Sequence, residues 1–292
     1  MNNSRTPHVD LQALAKQVMM ARGFQPDFPA AVQQQLAEIK AHPPMPASAP
    51  SSSPSSASNS PTVSDPHTKD LRGLLWSSID NDTSRDLDQI EVAEKLPNGD
   101  VKVMIGIADV DAFFAKTTPI DVHAARETTT VYTGVRMFPM LPEVLSTGAS
   151  SLLEDQDRLA VVTEFVVSAD GNVSAGNVYR ALVRNKAQLM YNSLGSWLEG
   201  TAPAPPKVAP SADLQAQLKL QNDAAQALKQ QRFLHGALNL DTNEVLPVVL
   251  NQEVVDMAQQ KRNRATELIE DCLLYTSPSP RDGATSRMPS SA

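Results

Sequence analysis

Apolar residues recur along this chain with two different periods, which together predict an α+β protein. Near the N-terminus they recur every three to four residues after Asp10 and again after Pro29. We therefore predict two short helices, the first of which ends at Gly23. The apolar positions of these helices are Leu11, Leu14, Ala15, Val18, Val32, Leu36 and Ile39. Residues 1–42 are thus predicted to form a small helical module of the helix-turn-helix kind.

Residues 43–68 interrupt this periodicity. Between Pro43 and Pro66 the chain consists almost entirely of proline, serine and alanine, and reads PPMPASAPSSSPSSASNSPTVSDP. Because such a segment cannot bury apolar surface, we predict a disordered linker and a domain boundary here.

Residues 69–271 are predicted to form one domain, with strands mainly in its first half and helices mainly in its second. Asn98-Gly99 and Asp170-Gly171 each separate two apolar runs, as in β-hairpins. A polar helix is predicted from Ala212 to Leu234, and a last helix from about Glu253 to Asp271. The expected fold class is therefore α+β with a mixed sheet.

After Asp271 the periodicity stops. Residues 272–292 read CLLYTSPSPRDGATSRMPSSA and resemble translated read-through of a sequencing adapter. We expect this tail to be non-native and the domain to be incomplete at its C-terminus. The single cysteine, Cys272, would then carry no functional meaning.

Composition and charge narrow the class of protein. Lys+Arg 25 against Asp+Glu 33 gives a net charge of −8, which argues against a general nucleic-acid coat protein but suits an enzyme whose carboxylates hold cations. One cysteine excludes a disulfide framework and a cysteine-rich zinc site. Because no long apolar run or secretory signal is present, we expect a soluble cytoplasmic protein without a membrane partner. The sequence indicates no protein partner.

The densest group of charges follows the predicted strand that ends near Ile79. Five acids lie within twelve residues, namely Asp80, Asp82, Asp86, Asp88 and Glu91. Their mutual repulsion requires cations or hydrogen-bond donors, and hard divalent cations prefer oxygen ligands. A solvated acidic loop is the alternative. The interleaved Ile79, Leu87 and Ile90 favour a segment that is tied to a core.

A calcium loop is a second interpretation of this segment. The acids together with Ser84 occupy positions 1, 3, 5, 7, 9 and 12 of an EF-hand pattern. However, Arg85 stands where the sharp turn needs glycine, and the segment after Glu91 is too short for a second helix. Both features disfavour a calcium-binding regulatory module.

The stretch from about Leu71 to Asp271 resembles the catalytic RNB domain of the ribonuclease II and ribonuclease R family. The matching blocks occur in the family order and are Asp80-x5-Asp86-Leu87-Asp88, Ile105–Val110, Thr130–Tyr132, Phe138–Ser146, Asp157–Ala160 and Arg232–Asp241. A bacterial subgroup of this family has a helical N-terminal module. Here that module is either an accessory helical hairpin or a contact for nucleic acid.

The resemblance implies a processive 3′→5′ exoribonuclease that hydrolyses single-stranded RNA to nucleoside 5′-monophosphates. It implies that Mg²⁺ is held by Asp80, Asp86 and Asp88, and that these three residues and Gln89 form the catalytic set. The family has a fourth aspartate where this chain has Gln89. A neutral amide cannot serve as a base, although it can orient a water or a phosphate oxygen. Either Asp82 or Glu91, neither of which is at the family position, supplies the missing acid, or the chain is a catalytically impaired RNA-binding relative.

The resemblance also implies contacts with RNA outside the acidic segment. Tyr132 matches a tyrosine that stacks on the terminal base, and Glu270, next to Asp271, matches an acid that contacts RNA. Two groups of basic residues are either phosphate contacts or solvated faces. The first group is Arg180, Arg184 and Lys186, and the second is Lys261, Arg262 and Arg264. The family continues with an arginine that acts in catalysis and a basic S1 module. This truncated chain is therefore expected to be inactive by itself.

Overall fold

The computed structural model describes residues 10–42, 44, 68–238, 244–250, 253–260 and 262–275. Nearly all of the predicted linker and most of the predicted tail lie outside these residues. The chain divides into two compact units. A helical unit comprises the described residues within Met1–Ser64, Asp109–Ser151 and Leu240–Lys261, and a sheet unit comprises those within Asp65–Ala108, Leu152–Asn239 and Arg262–Ala292.

Both units contain helices and strands. In chain order the elements are α1 (Leu11–Ala21), α2 (Ala30–Ala41), β1 (Lys69–Asp70), β2 (Ser77–Asp80), β3 (Gln89–Lys95), β4 (Val101–Ala108), α3 (Pro119–Glu127), β5 (Val131–Tyr132), β6 (Met137–Phe138), β7 (Asp157–Val167), β8 (Val173–Arg184), β9 (Ala187–Met190), α4 (Tyr191–Leu198), α5 (Ala212–Leu234), β10 (Glu244–Leu250), β11 (Glu253–Gln260) and α6 (Arg264–Leu273). This composition confirms the predicted α+β class with a mixed sheet.

The sheet unit is built on a seven-stranded sheet with the order β1-β8-β7-β4-β3-β2-β9. The edge pairs β1–β8 and β2–β9 are parallel, and the remaining pairs are antiparallel. Helices α5 and α6 pack against each other, α4 packs on α6, and α5 lies on β3. The sheet therefore carries the helices of this unit on one face.

Two apolar clusters fill the two faces of this sheet. The helix-covered face buries Ile79, Ile105 and Phe165 with residues from α4, α5 and α6. The opposite face buries Trp76 and Ile90, together with Val92, Met104 and Val183. Since successive side chains of a strand point to opposite faces, Gln89 and Glu91 of β3 lie on the helix-covered face, where Glu91 pairs with Ile105.

The predicted turns and two of the predicted helices are confirmed in detail. Gly99 and Gly171 have φ of +93° and +80°, the left-handed region that glycine tolerates. A Cβ on Gly171 would lie 2.2 Å from the carbonyl oxygen of Ala227, so no other residue fits there. Asp10 caps α1, and α5 covers the predicted residues from Ala212 to Leu234.

The helical unit contains the two predicted N-terminal helices. Its core includes Val32 and Leu36 of α2 with Ile120 of α3. The predicted apolar positions of α1 are less well covered, because Leu14 and Val18 are 45% and 50% exposed. In the same unit, β5 pairs with β6 and β10 pairs with β11, each as an antiparallel ribbon.

The prediction of one helix from Glu253 to Asp271 is wrong. Glu253–Gln260 forms β11, which pairs with β10, and the helix begins only after Asn263. The adjacent β-branched Val254 and Val255 favour a strand over a helix. The side chain of Asn263 accepts hydrogen bonds from the backbone of Ala265 and Thr266, which fixes the start of α6.

Asn185 ties together three segments of the sheet unit and provides a test of this fold. The buried amide nitrogen of Asn185 donates to Ser78 Oγ and to the carbonyl oxygen of Leu152, both at 2.9 Å, and its oxygen accepts from the Ala187 N–H at 3.1 Å.

We expect Asn185→Ala to lower the free energy of unfolding by about 2–4 kcal/mol, because buried partners lose their hydrogen bonds. Urea unfolding measures this change. Asn177→Ala, at an exposed position of β8, should have little effect, and equal effects of the two variants would contradict the assignment.

Candidate functional site

Strand β2 brings the acidic segment to one end of the sheet. Ser77 of β2 pairs with Glu91 of β3, and the same antiparallel register places Asp88 opposite Asp80. On the other side of β2, Asp80 pairs with Met190 at the end of β9. The ends of three strands therefore meet at Asp80.

The loop between β2 and β3 is attached to the core. The Oδ1 atom of Asp80 accepts hydrogen bonds from the Asn81 N–H at 2.7 Å and from Ser84 Oγ at 2.9 Å. Leu87 is 1% exposed, and its carbonyl oxygen accepts from the Leu152 N–H at 2.8 Å. This confirms the interpretation that the apolar residues anchor the segment, against a freely solvated acidic loop.

The calcium-loop interpretation is wrong. The loop lies between two antiparallel strands, β2 and β3, whereas an EF-hand loop lies between two helices.

The carboxylates of this segment repel one another. Burial raises the pKa of Asp80, and the charge of Asp86 raises it further. The pKa of Asp88 is also raised, first by desolvation and then by the charges of Asp80 and Asp86. The Glu91 carboxyl is fully buried, and its pKa is raised well above the usual value by burial and by Asp88 and Asp80. Four acids thus share one electrostatic environment that a cation would relieve.

Gln89 stands between these acids at the start of β3. It is 9% exposed, and its amide nitrogen lies 3.5 Å from the carbonyl oxygen of Ile79, at the outer limit of a hydrogen bond. The amide can therefore contact the end of β2 without carrying charge. Its position is the one that the sequence assigned to the fourth member of the catalytic set.

The donor atoms of this site suit a divalent cation. The available ligands are carboxylate and amide oxygens, which suit a hard cation such as Mg²⁺. Among the described residues, no three histidine, cysteine or acidic side chains already form a ready-made metal site. The donor chemistry therefore fits Mg²⁺, while the side chains are not gathered around one point.

Tyr191 is a member of this neighbourhood that sequence analysis missed. It begins α4 directly after Met190, the residue that pairs with Asp80. Burial raises the pKa of the Tyr191 hydroxyl, and Asp80, Glu91 and Asp88 raise it further. The parallel pairing of β2 with β9 creates this proximity, and no local pattern in the sequence reports a pairing between segments a hundred residues apart.

The predicted RNA-contacting residues fall into different units. Tyr132 belongs to the helical unit, where it ends β5 and is 65% exposed. Glu270 belongs to the sheet unit and forms an ion pair with Arg262. Its neighbour Asp271 is 3% exposed and forms an ion pair with Arg232.

Several of the predicted basic residues also have acidic partners. Arg184 Nε lies 2.6 Å from Asp157 Oδ1, and the partnership lowers the pKa of Asp157. Arg264 bonds Glu267 at 2.7 Å and Asn222 Oδ1 at 2.7 Å. These contacts favour a structural role for both arginines over phosphate binding.

Comparison with known proteins identifies the family. The chain matches the RNB domain over residues 68–277, and it belongs to that family. Ribonuclease R of Thermotoga maritima is 33% identical over 209 residues, which are 70% of this chain and 29% of that protein. Ribonuclease R of Escherichia coli is 31% identical over 249 residues, which are 85% of this chain and 28% of that protein. The chain thus spans less than a third of the length of these relatives.

A solved structure shares the fold. Mycoplasma genitalium RNase R in complex with ribose-methylated single-stranded RNA superposes with a TM-score of 0.76, at 21% identity, over 91% of this chain and 38% of that chain. This similarity confirms the predicted RNB-type fold.

In the part of the chain that the structure describes, no helix is long and apolar enough to cross a membrane.

The buried acid Glu91 predicts an unusual pH dependence of stability. Because the folded state keeps the Glu91 proton to higher pH than the unfolded chain, it binds more protons above about pH 4.5, the ordinary pKa. The stability due to this proton is present at low pH and is lost as pH rises through the raised pKa. In EDTA, Glu91→Gln should therefore unfold at a higher temperature than the wild type, and the difference should grow between pH 5 and 8.

Thermal unfolding across this pH range measures the difference. Glu94→Gln is the matched control, since Glu94 lies on the same strand but is paired with Lys102 at 2.6 Å on the surface. Curves for the wild type and Glu91→Gln that stay parallel across the range would contradict the raised pKa.

Proposed function

We propose that this chain is part of a 3′→5′ exoribonuclease that hydrolyses single-stranded RNA to nucleoside 5′-monophosphates in the cytoplasm. The observation that carries the proposal is the acidic segment of an RNB domain, held by β2 and β3 at one end of the sheet. A set of carboxylates that is partly desolvated and mutually repelling is costly unless it serves to bind cations.

Asp80, Asp86 and Asp88 would hold Mg²⁺ in this enzyme. The bound ion would activate a water molecule and stabilise charge on the scissile phosphate. Asn81 and Ser84 orient the Asp80 carboxylate through its Oδ1 atom. Gln89 cannot accept a proton, so its role is to orient a water or a phosphate oxygen by hydrogen bonding.

RNA is the proposed partner. Two relatives named above are ribonucleases, and the solved neighbour holds single-stranded RNA. Tyr132 would stack on a base, and the stacking would tolerate any sequence because every base has a π-face. Glu270 would contact the RNA chain only after its ion pair with Arg262 opens.

A catalytically impaired RNA-binding protein is the second candidate. Gln89 in place of an aspartate favours it, because the amide removes one negative charge from the proposed cation site. The two candidates share RNA binding and differ only in turnover.

The test follows the shortening of 5′-labelled single-stranded RNA with Mg²⁺. The protein is produced from the complete reading frame that encodes this chain. We expect a ladder that shrinks from the 3′ end, and a loss of at least about 10³-fold in rate for Asp86→Asn. The matched control is Asp82→Asn, at an exposed position of the same loop, which should remain active. RNA that is bound but not shortened would contradict the proposal of an active exoribonuclease and would support the catalytically impaired RNA-binding protein.

Tyr132 gives a separate prediction on binding. We expect Tyr132→Ala to weaken the binding of a single-stranded RNA by about 1–3 kcal/mol, because it removes a stacking surface, and Tyr132→Phe to bind like the wild type. Fluorescence anisotropy with EDTA present, so that no cleavage occurs, measures both. Equal losses in the two variants would show that the hydroxyl, and not the ring, makes the contact.

A further inference from the structure

We propose that Glu91 supplies the negative charge that Gln89 lacks, and that it acts through Asp88 and Asp80 to set the affinity of the site for a divalent cation. This inference rests on the proposed function, since it assigns a positioning residue to the same cation site. Glu91 lies outside the family pattern of aspartates, and its role comes from its place in this structure.

The burial of Glu91 is the first argument. Glu91 is 1% exposed, and within the described residues neither of its carboxylate oxygens has a hydrogen-bond partner. Acids are rarely buried without a partner, because an isolated buried charge is very costly. A buried acid in this state requires a functional explanation or an absent partner.

The register of the sheet is the second argument. Gln89 and Glu91 are two residues apart on β3, so their side chains project from the same face. Glu91 pairs with Ser77 on the neighbouring strand, and the Oγ of Ser77 is likewise buried without a hydrogen-bond partner in the part of the chain that is described. The charge that is missing at Gln89 is therefore present one pleat further along the same face.

The surroundings of Glu91 are acidic or neutral. The charges of Asp88 and Asp80 act on Glu91 directly. Glu91 in turn acts on the Tyr191 hydroxyl at the start of α4 and on the buried Cys272 thiol of α6. The raised pKa of Glu91 describes the site without a cation. A cation bound at Asp80 and Asp88 would favour the ionised form of Glu91, because it attracts the carboxylate through a medium of low dielectric constant.

Glu91 does not need to touch the cation to have this effect. Both carboxylate oxygens are shielded from solvent, so Glu91 acts through the electric field behind the first ligands. Such outer carboxylates tune the affinity of metal sites, and their loss typically weakens metal binding by about 10–100-fold. The expected effect of neutralising Glu91 is therefore on the order of tenfold in the dissociation constant.

A charge-exchange experiment tests this role. The dissociation constant for Mn²⁺, a paramagnetic substitute for Mg²⁺, is measured without RNA by electron paramagnetic resonance and calorimetry. The variants are Glu91→Gln, the double variant Gln89→Asp/Glu91→Gln, and the control Glu94→Gln. We expect Glu91→Gln to bind Mn²⁺ about tenfold more weakly, the control to bind normally, and the double variant to recover to within about threefold of the wild type.

Recovery in the double variant separates charge from structure. If Glu91 only filled space, an aspartate at Gln89 would not restore the affinity. The inference is overturned if Glu91→Gln binds Mn²⁺ like the wild type, if the double variant stays as weak as Glu91→Gln, or if the wild type binds no Mn²⁺. Circular dichroism in EDTA verifies that each variant is folded.

These outcomes differ from a failure of the proposed function. A protein that binds Mn²⁺ with the expected pattern but leaves RNA intact is not an exoribonuclease, yet its cation site and the role of Glu91 stand. A protein that shortens RNA while Glu91→Gln keeps full Mn²⁺ affinity is an exoribonuclease without this use of Glu91.

Discussion

The pairing of β2 on both of its sides is the constraint on which the candidate site depends. This strand has four residues, yet it pairs antiparallel with β3 and parallel with β9. Its last residue, Asp80, then anchors the acidic loop through Oδ1, and its second residue, Ser78, receives the amide of the buried Asn185. The geometry of the acids is thus set by backbone pairing and by two polar contacts, and not by interactions among the acids, which repel one another.

This arrangement places a cost in stability at the point where function is proposed. Burial and mutual repulsion raise the pKa values of Asp80, Asp88 and Glu91, so the ionised forms are disfavoured in the fold. The apolar clusters on the two faces of the sheet offset this cost. A destabilised cluster of acids in a stable fold is typical of a ligand-binding site. A ligand that binds only the folded state stabilises it and so offsets the cost of burying these acids.

Local patterns in the sequence predicted much of this fold and part of the site. Hydrophobic periodicity located α1, α2 and α5, and glycine turn signals located two hairpins, because these features depend on residues close together in the chain. The last helix was misplaced, because pairing with β10 decided the state of β11. Tyr191 was missed for the same reason, since only the parallel pairing of β2 with β9 brings it next to Asp80. The grouping of Asp109–Ser151 with the N-terminal helices in one compact unit also depends on contacts between distant parts of the chain, which local sequence patterns do not show.

The geometry of a strand explains why a negative charge that is absent at position 89 can be supplied from position 91. A move of one residue would turn the side chain to the opposite face, where Ile90 and Val92 fill an apolar cluster. A move of two residues keeps the face and shifts the side chain about 6.6 Å along the strand, at the usual rise of about 3.3 Å per residue. A carboxylate moved by that distance leaves direct contact with a bound cation but remains within the range of its field in a medium of low dielectric constant. The longer side chain of glutamate recovers part of this distance, whereas an aspartate at position 91 would not. The residue types at both positions therefore agree with a site in which the fourth charge lies behind the ligands.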